Sequence, residues 1–96
     1  MRFEVNTMKA VVTVVGKDRV GLIAAVCTQL ASFSVNVLDI SQTVMQGYFT
    51  MMMVVDVSES SVPVAELAQK LEEKGKEIGL SIRLQREDIF DAMHRV

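Results

Sequence analysis

Apolar positions along this chain change their period several times, and each change predicts an element. Residues 9–15, KAVVTVV, form a short β-branched run closed by Gly16, as a buried strand should. From Leu22 the period becomes helical. Leu22, Val26, Leu30 and Phe33 recur on one stripe, with Ile23 and Cys27 beside them, until Ser34-Val35-Asn36 breaks it. Two strand candidates, VNVLDISQTVMQ and YFTMMMVVDVS, flank Gln46-Gly47, a pair suited to a tight hairpin turn with positive φ. Ser58, Glu59, Ser60 and Ser61 lead to Pro63, which predicts the first turn of a second helix. Val64, Leu67, Ala68, Leu71 and Ile78 supply that helix's apolar stripe, with Glu and Lys opposite. Gly75 lowers its propensity by about 1 kcal/mol relative to alanine, and Gly79 is its natural stop.

The alternating stretch LSIRLQR (80–86) predicts a half-exposed strand. In EDIFDAMHRV the acids come first and His94 and Arg95 last, with Ile89, Phe90 and Met93 on one face. That order predicts a short C-terminal helix matched to its dipole. The series is strand–helix–strand–strand–helix–strand with a tail. Its economical packing is an α+β, ferredoxin-like βαββαβ plait, an antiparallel sheet with two helices on one face. In that plait the second strand lies at an edge. Here it is apolar, lacks Lys and Pro, and carries one charge, Asp39. An edge so unprotected invites another chain, which predicts a homodimer or higher homo-oligomer.

Ninety-six residues make one domain, and 50% hydrophobic content is ample for a core. A net charge of −2 with scattered Lys and Arg, and 5% aromatics, argue against a nucleic-acid partner. The start, MRFEVNTMKA, has no long apolar run, and nothing approaches the roughly 20 apolar residues of a membrane span. The expected location is the cytoplasm, with no membrane partner. Cys27 is the only cysteine, which excludes an internal disulfide or zinc framework and is read as a buried structural thiol.

The loop GKDRVG (16–21) has a purely structural explanation. Gly16 ends the strand, Asp18 caps the helix, and Gly21 permits close helix–sheet packing. The same loop has a functional one, because free N–H groups at a helix start suit a carboxylate or other anion.

The stretch VVTVVGKDRVGLIAAVCTQLASFSVNVLDISQ resembles the start of an ACT domain, through its Asp-Arg-x-Gly turn, the helix after it and the Asn opening the second strand. The likeness extends over residues 8–96, leaving 1–7 as an N-terminal extension. The ending QREDIFDAMHRV is similar to that of stand-alone ACT-domain proteins related to the glycine cleavage system repressor. The resemblance implies a regulatory, non-catalytic domain that self-associates and binds an amino acid at a subunit interface. The matching ligand-binding positions are Asp18, Arg19, Val20, Gly21 and Asn36. Gly21 and its neighbours would offer N–H groups to an α-carboxylate, and Asn36 would donate and accept. Asp18 would pair with an ammonium and Arg19 with a carboxylate across the interface. Two departures stand out: Val20 where the family usually has Pro, and Ser34 where a Gly commonly precedes the hydrophobic-Asn pair.

Against an enzyme, His94 is the only histidine and no nucleophile pair or metal set accompanies it. Glu87, Asp88 and Asp91 fit a solvated helix start. Asp18, Asp39 and Asp56 match no metal loop, and no cofactor is implied. Met51–Met53 suit a malleable core or interface. The alternative function is a ligand-free protein-interaction module, presenting Ile89, Phe90 and Met93 to a partner protein.

Overall fold

The computed structural model describes residues 8–17 and 22–88. Its elements are β1 (Lys9–Lys17), α1 (Leu22–Ser32), β2 (Asn36–Met45), β3 (Tyr48–Asp56), α2 (Val64–Ile78) and β4 (Ser81–Arg86). They form one antiparallel sheet in the order β2-β3-β1-β4, the ferredoxin-like plait expected from the order of periods. Glu87 and Asp88 continue from β4 in helical conformation, and the rest of the expected terminal helix lies outside the described residues.

Strand β3 alternates strictly, and β1 does so except at Val11, which is buried on the opposite side of the sheet. Ala10, Val12 and Val14 of β1 and Phe49, Met51, Met53 and Val55 of β3 point to the helix side. There they meet Val26 and Leu30 of α1 and Leu67 and Leu71 of α2, all fully buried. Burial of this set supplies most of the driving force, since each such side chain is worth roughly 1.5–3 kcal/mol. Of the methionine triplet, Met51 and Met53 are core and Met52 is exposed on the open face. Cys27 is half-buried against the core rather than fully enclosed.

Two glycines serve packing rather than chain reversal. Gly16 does not end β1, which runs on to Lys17; its missing side chain is the space occupied by the Leu80 side chain. Gly75 is buried where α2 rests on the start of β4, and a Cβ there would lie 2.6 Å from the Leu80 carbonyl oxygen. Gly79 closes α2 in the left-handed region, φ 81°, with its N–H donating to the Gly75 carbonyl. Pro63 is the N-cap of α2, one position before the expected first turn.

The end of α1 is a Schellman turn. The N–H of Val35 donates to the Leu30 carbonyl (3.1 Å) and that of Ser34 to Ala31 (3.0 Å), with Ser34 itself at φ 62°. That is the conformation glycine adopts without cost, and it explains why a glycine is usual at this position. Gln46 (φ 52°) and Gly47 (φ 85°) make the expected tight hairpin between β2 and β3.

Strand β2 differs from the others. After Val37 every one of its residues is exposed. Its ladder with β3 slips at Leu38, a bulge between Val37 and Asp39, and then runs without interruption to Met45.

Candidate functional site

Asn36 is the first residue of β2 and is placed by the Schellman turn just before it. Its side chain is exposed and makes no hydrogen bond among the described residues. On the same rung of the sheet stand Asp56, paired with it across β3, and Lys9 beyond, across β1. Ser61 donates its N–H to the Phe33 carbonyl (2.9 Å) and ties the loop after β3 to the end of α1. Between the two segments lies an open groove of about 530 Å³. Asn36, Ser34 and Ala31 line one side of it, and Asp56, Ser58 and Glu59 the other.

The groove is electronegative. The Ser58 hydroxyl and the Ser58 N–H (2.9 Å) both donate to Asp56 Oδ1. These bonds, the hydroxyl's first, hold the Asp56 carboxyl below its ordinary range; slight desolvation opposes them and Lys9 adds a small favourable charge. Glu59 adds a second carboxylate on the wall, and the C-terminal end of α1 brings a partial negative charge without a basic residue in its last turn. Such a groove suits an ammonium or another hydrogen-bond donor, with the Asn36 amide able to donate or accept beside it.

Asp18, Arg19, Val20 and Gly21 lie outside the described residues. The chain leaves β1 at Lys17 and begins α1 at Leu22. Lys17 pairs with Tyr48, and Tyr48 with Met45, at the hairpin end of the sheet. Its ammonium lies 5.8 Å from the centroid of the Tyr48 ring. Asn36 stands at the other end of β2. At about 3.3 Å per residue, the exit of β1 and Asn36 are separated by roughly 30 Å along the sheet. A single copy therefore cannot hold one small ligand between Lys17 and Asn36.

The sequence singled out Asn36, which lines this groove, but not Asp56, Ser58 and Glu59, which line it too. Their signal was Asp-x-Ser directly after an apolar strand, a pattern in which the carboxylate bonds the backbone two residues on. Among the described residues no group of three or more His, Cys, Asp or Glu side chains could hold a metal ion. No helix among them is long and apolar enough to cross a membrane.

Comparison with known proteins agrees with this architecture. The ACT domain family model matches residues 9–85. A UPF0237 protein of Clostridium acetobutylicum is 54% identical over 89 residues, 93% of this chain and 100% of that protein. The ACT domain protein from Streptococcus pneumoniae superposes with a TM-score of 0.77 at 42% identity, covering 91% of this chain and 98% of that one. A protein described as a glycine cleavage system transcriptional repressor shares the fold, with a TM-score of 0.71 at 23% identity over 83% of this chain and 46% of that one. By its matched sequence over nearly the whole sheet and by its βαββαβ architecture, this chain belongs to the ACT domain family.

Proposed function

We propose that this protein is a non-catalytic regulatory domain that binds a small molecule of the amino-acid class as a homodimer. The observation that carries the reading is the separation just described. The exposed Asn36 amide and its electronegative groove sit at one end of β2, while the β1–α1 connection leaves from the other end.

An antiparallel pairing of β2 with β2 of a second copy turns this separation into juxtaposition. It carries the Asn36 end of each strand toward the hairpin end of its partner. Helix α1 links β1 to β2 with β3 lying between them, so it passes over β3 and begins at that hairpin end. The Asn36 groove of one copy, suited to an ammonium, then approaches the α1 start of the other, where backbone N–H groups suit a carboxylate. The two poles match an α-amino acid. Asp18, Arg19, Val20 and Gly21 are the proposed contributors from the partner's loop.

The regulatory character of this arrangement rests on ligand-linked association. The test is a thermal-shift screen of the full chain against common amino acids at millimolar concentration, with Asn36→Ala as control. A ligand at 100 times its Kd adds about 2.7 kcal/mol, and each kcal/mol moves the midpoint by roughly 4–8 °C in a domain of this size. A shift for one amino acid, lost in Asn36→Ala, is the expected result. A flat screen overturns the ligand and leaves a protein-interaction module in its place.

A further inference from the structure

We infer that the second copy docks on β2 in one register, with the two-fold axis passing through Gln42. This rests on the dimer proposed above and assigns its geometry.

Symmetry narrows the choice first. Two strands pairing antiparallel about a two-fold axis keep the helices of both copies on the same side of the joined sheet. Residues that face each other across the new ladder must therefore come from the same face. On β2, Ile40, Gln42 and Val44 share the helix side with Met53, Met51 and Phe49, while Asp39, Ser41, Thr43 and Met45 share the open side. The axis must then cross the strand at a residue, never between two.

The ladder itself narrows it further. The edge is interrupted by the bulge at Leu38 and ended by the Gln46-Gly47 turn, so the regular stretch is Asp39–Met45. Only an axis at its midpoint, Gln42, pairs the whole stretch. Shifting the axis to Ser41 sets Val44 against the partner's bulge, and shifting it to Thr43 runs Ile40 into the partner's turn.

Packing points to the same register, and the charges do not oppose it. Ile40 is 43% exposed and Val44 58% exposed, although both lie on the side of the sheet that the helices cover. With the axis at Gln42, Ile40 of each copy faces Val44 of the other, and the Gln42 amides meet on the axis. On the open side Asp39 faces Met45 of the second copy. The row continues into that copy through Tyr48 to Lys17, whose ammonium leans over the Tyr48 ring. The only charge on β2 thus looks along a row that ends in a cation two to three strand spacings away, roughly 10–14 Å. That is beyond the Debye length of about 8 Å at physiological salt, so this attraction acts only at low ionic strength. With the axis at Ser41 the same row leads to Thr43, Thr50 and Val15 and meets no cation.

The experiment is single-cysteine cross-linking in a Cys27→Ala background, with cysteine placed in turn at 41, 42 and 43 and light scattering on each variant. A residue on the axis faces itself, with Cβ atoms about 4.5–5.5 Å apart, close to disulfide reach. Its neighbours at 41 and 43 are offset from their own copies by roughly 7–8 Å. The expected result is a dimer in which Gln42→Cys cross-links several times more completely than Ser41→Cys or Thr43→Cys. Mixing Ile40→Cys with Val44→Cys protein should give a mixed disulfide that neither forms alone. A dimer whose cross-linking peaks at 41 or 43, or is absent throughout, overturns this register and leaves the dimer standing. Monomers at micromolar concentration, without cross-links, overturn both.

Discussion

Asn36 and Asp56 face each other on the first rung of the β2–β3 ladder, yet the Asp56 carboxylate is bound by Ser58 and not by Asn36. This division leaves the Asn36 amide available in the groove. It also links Asp56 to stability, because its carboxyl titrates below its ordinary value of 3.8 in the folded state. A carboxyl depressed by folding stabilises above its unfolded pKa, and that stabilisation is lost as pH falls through the folded pKa. Asp56→Asn should therefore melt below wild type at pH 7, and the gap should close as pH drops below about 3.8. Melting curves of both proteins between neutral pH and the lowest pH they tolerate will check this.

Gly75→Ala should destabilise, although alanine is the better helix former. Helix propensity favours the change by about 1 kcal/mol. The new methyl group would sit 2.6 Å from the Leu80 carbonyl oxygen, and backbone cannot swing aside as a side chain can. Overpacking of this kind costs about 1–3 kcal/mol. A net loss of up to about 2 kcal/mol is expected, read as a lower urea midpoint with an unchanged slope.

Ser34→Gly should act in the opposite direction. Ser34 occupies the left-handed position of the Schellman turn at φ 62°, where a Cβ is unfavourable. Relief of that strain, offset by the greater freedom of glycine when unfolded, predicts a gain of about 0.5–1 kcal/mol. Chemical denaturation will measure it. A loss would mean that the Ser34 side chain contributes to the turn.

Val44→Lys should separate association from folding. Val44 is exposed in the single copy, so a lysine there should change the fold's own stability by less than about 0.5 kcal/mol. On an edge strand it opposes pairing with another chain. The variant is expected to keep its far-ultraviolet circular dichroism and to run as a monomer in light scattering where wild type is a dimer. A folded Val44→Lys dimer would place the interface elsewhere.

Much of the fold could be read directly from the residues. The helical stripe through Leu67 and Leu71 and the alternation in β4 are local signals, because each element's period records which side of it is buried. The Gln46-Gly47 turn and the Gly79 stop were equally legible, since positive φ selects its residues locally. The site was legible only in part. Asn36, which lines the groove, was named through resemblance, whereas Ser58 and Glu59 enter it because Ser61 anchors their loop to Phe33, a contact between segments far apart in sequence.

The sequence by itself determined the kind and order of the elements, the layers they build and the family they belong to. Only the tertiary structure decided that Gly75 is a packing space where the helix pattern suggested a weakness, and that Gly16 accommodates Leu80 inside a strand. It alone put Asn36 and the end of β1 at opposite ends of the sheet and left β2 bare after Val37. The physical reason is the range of the interactions. Periodicity and turn chemistry act over a few residues, but strand order, register and close backbone approach are fixed by contacts between residues that the sequence does not place side by side.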